Sequence, residues 1–237
     1  MSRICFLFNL VMHFLVINGN SVSCPAFPEF TGHNGLQQDT TPDNQILYNG
    51  RIWRNLYTGV KEDQFLFSRE FLPGTVTMRG KTFSDIRIRY DIFKDEILIP
   101  GNPGGIIQLN KEMVDSFSIL FQNKSYQFVR IPADSLTGLE GYCNILYRGE
   151  HTLFVRYSKK IGKLADEGKY DKFYQVSRIY IFKDGILHQV NSKKNLIKVL
   201  RENNTAIRNF IKMNKIKISI KYPASFIPVL SYLDNLR

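Results

Sequence analysis

The chain is poor in the residues that most often announce chemistry: 237 residues hold three cysteines, four histidines and one tryptophan. Cys5, Cys24 and Cys143 are too widely spaced for any Cys-x-x-Cys pair, so no cysteine zinc site or redox dithiol is expected. There is no Gly-x-Ser-x-Gly elbow, no His-Glu-x-x-His pair and no glycine loop running into Lys-Ser/Thr. Those absences remove the recognisable serine hydrolases, zinc proteases and P-loop nucleotide sites. Beyond residue 17 nothing approaches the 18 or more continuous apolar residues of a membrane-spanning helix, so none is expected in the mature chain. Acidic residues are scarce in one region only. Residues 159–221 carry 16 Lys and Arg against 5 Asp and Glu, which accounts for the whole net charge of +11.

What is present starts with an export pattern. Arg3 supplies a positive n-region, and Ile4 to Ile17 form an apolar run broken only by Asn9 and His13. Asn18-Gly19-Asn20 follows, then small Ser21 and Ser23 before Cys24. This order predicts a secretory signal over residues 1–23, since the run is too short to span a bilayer as an anchor. Cys24 is a candidate for lipidation: Ser23 suits the acylation box, whereas Ser21 stands where that box takes Leu, Val or Ile. Its alternative fate is a disulfide with Cys143 in an oxidising compartment, although Cys143, alternating within the apolar run Tyr142–Tyr147, reads as a buried core thiol instead. Residues 24–44, rich in Pro, Gly, Asn, Asp and Thr, read as a flexible leader.

Residues 45–237 read as one β-rich domain. Asn49-Gly50 between Gln45–Tyr48 and Arg51–Trp53 is a strong hairpin signal. Ile86, Ile88 and Tyr90 alternate with Arg87 and Arg89, which predicts a strand with one buried and one wet face. Further short strands are expected at Ile97–Ile99, Ile106–Leu109, Phe117–Phe121, Tyr126–Ile131, Tyr142–Tyr147 and Thr152–Tyr157, then a hairpin turning at Lys183-Asp184-Gly185. No helical period appears before residue 190. After it, Ser192 caps a helix with Leu196, Ile197 and Leu200 inward, and Thr205 caps a second with Ile207, Phe210 and Ile211 inward. Ile216–Tyr222 alternates like a strand, and Pro223 opens a last short helix. The fold class is therefore α+β: a curved antiparallel β-meander, sandwich or half-open barrel, with basic helices at the C-terminal end.

Several segments occur in a familiar order: Gly74–Lys81, Ile88–Ile92, Gln108–Asn110, Val114–Phe117, Gly141–Gly149 and Ser192–Leu200. Together they make residues 45–235 resemble a group of exported β-rich proteins of the Bacteroidota to which no activity is attached. The resemblance implies compartment and fold class. Its motifs are turns and strands, so no catalytic residue is carried over.

No catalytic, cofactor-binding or metal-ligating residue is expected. His33, His151 and His188 read as structural or surface histidines, and Asp91, Asp95 and Glu96 as turn acids rather than a glycosidase pair. Aromatic and basic residues interleave in Phe154–Lys160 and Phe173–Tyr180, a mixture that can stack on bases but equally describes half-buried strands; an exported chain makes nucleic acid the weaker reading. The basic C-terminal helices remain. Lys193, Lys194, Lys198, Arg208 and Lys212 are candidates for contact with an anionic membrane or glycan surface, or else a solvated face. The expectation is an exported envelope protein, in the periplasm or at the outer membrane surface, with a non-enzymatic binding or scaffolding role and another envelope component as its partner. The alternatives are a periplasmic carrier of a lipid or other apolar ligand, and a hydrolase without a recognisable motif.

Overall fold

A computed structural model describes residues 45–101, 104–162, 171–201 and 204–236. The signal, the leader, Cys24 and His33 lie outside the described residues. Among those described, eleven strands form one antiparallel sheet that does not close on itself, in the order β1-β5-β4-β3-β2-β6-β7-β8-β9-β10-β11. The strands are β1 Arg51–Ile52, β2 Leu72–Met78, β3 Lys81–Asp91, β4 Glu96–Pro100, β5 Ile106–Gln108 and β6 Val114–Phe121. They continue with β7 Lys124–Ile131, β8 Gly141–Tyr147, β9 Thr152–Gly162, β10 Lys172–Lys183 and β11 Ile186–Val190. The helices are α1 Gln45–Tyr48, α2 Lys193–Val199, α3 Asn204–Met213 and α4 Ile227–Asp234. This is the α+β meander that the strand spacing implies.

Three of the hairpins turn on two residues that both take positive φ: Arg79-Gly80 (47° and 77°), Gln122-Asn123 (49° and 58°) and Asp184-Gly185 (50° and 77°). Such turns match the right-handed twist of the strands they join. Within β3, Asp85 sits at φ 57°, and the pairing with β2 shifts register between Gly74 and Val76. The extra residue lets Phe83 and Ile86, three apart, both pack on the same core. The sheet curves far enough for β9 to meet the β3–β4 turn, where the Lys159 N–H donates to the Ile92 carbonyl at 3.2 Å.

Two cores result. The first joins β2 to β8 through Val76, Ile88, Tyr90, Phe117, Phe128 and Tyr142. Its rings interlock: Phe117 stacks on Phe128 at 4.7 Å, and Tyr90 stands edge-on to both at 5.1 and 5.4 Å. The second lies where Leu153, Val155, Ile179 and Ile181 of β9 and β10 meet Leu196, Ile207, Phe226 and Leu230 from the C-terminal helices. Ser192 caps α2 by accepting from the Asn195 N–H at 3.1 Å. The apolar stripes therefore face the sheet, and the cations between them face outward.

Four local expectations are corrected. Gln45–Tyr48 is a helical turn, not a strand, and Arg51–Ile52 pairs with β5 instead of folding back on it. Gly50 is required there because a Cβ would come within 2.3 Å of the Gln108 carbonyl oxygen. Ile216–Tyr222 forms no strand; a lone Ser219–Tyr222 bridge turns the chain back. Thr205 lies inside α3, which already begins at Asn204. Arg89 does not face water. The 53–71 segment folds over the outer side of β3, and the guanidinium lies 5.5, 4.5 and 4.3 Å from the ring centroids of Trp53, Phe65 and Phe71. Its Nη1 donates to the Arg69 carbonyl at 2.8 Å. Burial lowers the affinity of this guanidinium for its proton, an effect opposed by Glu70, Asp91 and Asp63.

Candidate functional site

The Asp184-Gly185 turn sends β11 back along β10, and the Ser192 cap starts α2 almost at once. The two elements are left side by side with a groove of about 720 Å³ between them. Lys183, Leu187 and His188 line it from the hairpin, Lys198 and Arg201 from the helical side, and Leu136 from the β7–β8 loop. Among the described residues that line it, three cations meet one carboxylate, that of Asp184, which lies 3.4 Å from the Lys183 ammonium. Lys198 and Arg201 are exposed, whereas only 9% of Lys183 is. Ligand pockets of roughly 300–1,000 Å³ with a few placed polar groups are the usual scale for a small molecule or one unit of a polymer.

Of the basic residues expected to meet an anionic surface, Lys198 lines this groove. Lys193 and Lys194 are exposed on the first turn of α2, and Arg208 and Lys212 are exposed on α3. Arg208 is partly engaged, its Nε donating to Asn204 Oδ1 at 2.8 Å. Lys183, His188 and Arg201 join the site although the sequence reading had not selected them. The hairpin signal at Asp184-Gly185 and the cap at Ser192 were the features that could have placed them together.

Two acids of the β3–β4 turn, Asp91 and Asp95, are engaged in holding that turn. The Asp91 carboxylate accepts from Phe93 N and Lys94 N at 2.9 and 3.0 Å and from Gln64 Nε2 at 2.9 Å. Burial pushes its pKa up against these three donors. Asp95 Oδ1 accepts from the Tyr90 hydroxyl at 2.5 Å and from Arg156 Nη1 at 2.7 Å, while Oδ2 lies 2.6 Å from the Lys111 ammonium. Glycoside hydrolysis needs a carboxyl group free to meet the sugar. These two are turned into backbone and ion-pair partners.

A second titratable cluster stands at the β8–β9 turn. His151 Nδ1 and Asp234 Oδ1 are 2.7 Å apart although 83 residues separate them, and the Tyr147 hydroxyl donates to Asp234 Oδ2 at 2.7 Å. Burial and the Asp234 carboxylate both raise the Tyr147 pKa, so the phenol stays a donor. Gly149 lets α4 approach: a Cβ there would fall 2.0 Å from Asp234 Oδ2. Glu150 brings a further carboxylate, and one ligand atom from each of Glu150, His151 and Asp234 lies within 4.8 Å of the others. Among the described residues no hydroxyl or thiol hydrogen-bonds to the His151 ring, as the nucleophile of a hydrolytic triad would.

No protein-family model, curated protein or solved structure matches this chain. The groove and the two titratable clusters are therefore read on their geometry alone.

Cys143, the thiol of β8, is fully buried and free. Burial pushes its pKa up to about 12. Reaction with iodoacetamide requires thiolate and access. At pH 8 Cys143 should stay unmodified in the native protein and be alkylated within minutes once urea unfolds it, as peptide mass mapping will read. Modification at equal rates in both states would contradict the burial.

Proposed function

We propose that the protein is an exported, non-enzymatic binding protein of the cell envelope that holds an anionic component in the groove between β11 and α2. The observation that carries this reading is the convergence of Lys183, Lys198 and Arg201 on one groove of about 720 Å³. The compartment rests on the N-terminal pattern from Arg3 to Ser23. No helix among the described residues is long and apolar enough to cross a membrane. The groove suits a sugar acid or a phosphate-bearing unit, and the exposed lysines of α2 extend the positive field around it. Each cation near an anionic surface adds about 1 kcal/mol, and exposed charges act over about 10 Å at 0.1 M salt. An apolar cargo finds less support, since the inner face of β3, β6, β7 and β8 is filled by Tyr90, Phe117, Phe128 and Tyr142.

The test is binding to an acidic polysaccharide and, separately, co-sedimentation with anionic and neutral liposomes at low and high salt. Association should weaken as salt rises, and Lys198→Glu with Arg201→Glu should weaken it at least tenfold while the melting temperature barely moves, because exposed charges contribute little to stability. Lys194→Glu, on the same helix but outside the groove lining, should have the smaller effect. Binding that ignores both salt and charge reversal would overturn the proposal and leave the lysines as a solvated face.

A further inference from the structure

We propose that the segment from Met213 to Tyr222, at the end of α3, is a membrane-docking surface that sets apolar side chains into the headgroup layer of an anionic lipid bilayer. It shares no residue with the lining of the groove between β11 and α2 and does not rest on the binding role assigned there.

Three large apolar side chains stand in water along this short segment: Met213 is 81% exposed, Ile220 37% and Tyr222 73%. A single exposed apolar residue is ordinary on a protein surface, whereas several close together mark a contact site. Lys212, Lys215, Lys217 and Lys221 are exposed among and beside them, and residues 212–222 contain no Asp or Glu. Bare apolar side chains interleaved with cations complement a layer that is negative at its surface and apolar just beneath. An anionic bilayer is such a layer. A soluble polyanion would meet the lysines and leave Met213 and Tyr222 in water.

The backbone holds these side chains outward. The Ile216 N–H donates to the Ile211 carbonyl at 3.0 Å, the Lys215 N–H donates to the Lys212 carbonyl at 3.3 Å, and Lys215 takes φ 51°. This pair of bonds closes α3 and turns the chain sharply. Ile216 and Ile218 then pack on the second core, while Lys217 between them is exposed. At Ser219 the chain reverses, with the Tyr222 N–H donating to the Ser219 carbonyl at 3.1 Å. The Ser225 hydroxyl fixes that reversal: it accepts from the Ser219 N–H at 3.0 Å and donates to the Ser219 carbonyl at 3.2 Å. Ile216 and Ile218 thus anchor the segment, and Ile220, Lys221 and Tyr222 form its tip. A tip already held in place loses little freedom when it docks. The tyrosine ring, apolar with a polar end, suits the headgroup level, and the lysine stems can lie along the apolar layer while their ammonium groups reach lipid phosphates.

The test uses the full chain with vesicles of phosphatidylglycerol and phosphatidylcholine, and with vesicles of phosphatidylcholine alone. The protein should sediment with the anionic vesicles and not with the neutral ones. Met213→Ser combined with Tyr222→Ser keeps the net charge and alters only exposed side chains. Its melting temperature should match the parent's, while its affinity for anionic vesicles falls about tenfold or more. Lys217→Glu and Lys221→Glu should each weaken that affinity about fivefold or more. Tyr222→Trp reports depth: the fluorescence it adds to that of the single native Trp53 should be quenched by lipids brominated on the acyl chain. A soluble acidic polysaccharide should bind the parent and the double serine variant equally, so this surface and the groove fail separately. Unchanged vesicle affinity in the double serine variant overturns the proposal, as do equal binding to neutral vesicles and added emission that brominated lipid leaves unquenched. Equal losses on vesicles and polysaccharide overturn it as well. A parent that is dimeric without vesicles and monomeric as the double serine variant would give the patch to a second copy of the chain, and would also overturn it.

Discussion

Asp95→Ala is expected to destabilise the fold by about 3–5 kcal/mol, the cost of removing one partner from a buried ion pair. The Asp95 side chain is 8% exposed and faces Arg156, 15% exposed, and Lys111, 35% exposed. Arg156 also donates to the Tyr90 hydroxyl and the Tyr142 carbonyl, each at 2.9 Å. Burial opposes its charge, but Tyr90 and Asp95 outweigh this and raise its pKa further. Taking away the Asp95 carboxylate leaves that guanidinium buried without an anion and the Tyr90 hydroxyl without its acceptor. The group spans the β3–β4 turn, β8 and β9, so the damage falls where the curved sheet meets itself. Asp95→Asn keeps the volume and removes only the charge, and should cost less than the alanine variant. Urea unfolding at constant slope reads both. A loss under about 1 kcal/mol for Asp95→Ala would show that the network is not what holds the turn.

Ile88→Ala carries the second large effect, about 2–5 kcal/mol, because a fully buried side chain leaves a cavity the sheet cannot collapse into. Its neighbours on the other face provide the comparison. Arg87 is exposed and should tolerate alanine within about 0.5 kcal/mol. Arg89 lies among Trp53, Phe65 and Phe71, so its replacement should cost about 1–2 kcal/mol through lost cation–π contact and packing. Thermal melts of the three variants should rank Ile88, then Arg89, then Arg87. Equal losses at Ile88 and Arg87 would mean that the strand presents the wrong face.

That ranking shows where local pattern stops. Ile88 and Tyr90 are buried as their alternation requires, while Ile86, beside the irregularity at Asp85, is only half-buried. Arg89 was legible as an outward residue but not as a covered one, because the cover comes from Trp53, Phe65 and Phe71, 18 to 36 positions earlier. Asn49-Gly50 failed as a hairpin for a similar reason. Its glycine answers to the Gln108 carbonyl of β5, not to a turn of its own.

The candidate site divides in the same way. Outward lysines on α2 and α3 were readable from the helical period, since an apolar stripe on a sheet leaves the opposite face to solvent. The groove was not readable. It depends on Lys183 and His188 of the β10–β11 hairpin lying beside Lys198 of α2, and on Leu136 reaching them from the β7–β8 loop.

The sequence by itself determined most of the antiparallel strands, the Asp184-Gly185 turn and the helical end, because strand alternation, the Asp-Gly turn and the Ser192 cap act over a few residues. It also determined that the excess of positive charge would lie on the C-terminal third. Only the tertiary structure decided what those elements bring together: Asp95 with Arg156 across 61 positions, His151 with Asp234 across 83, and the strand order that returns β6 beside β2. The physical reason is that ion pairs and ligand sets depend on distance in space, and a chain of short strands carries no local signal for which distant turn will curve back to meet it.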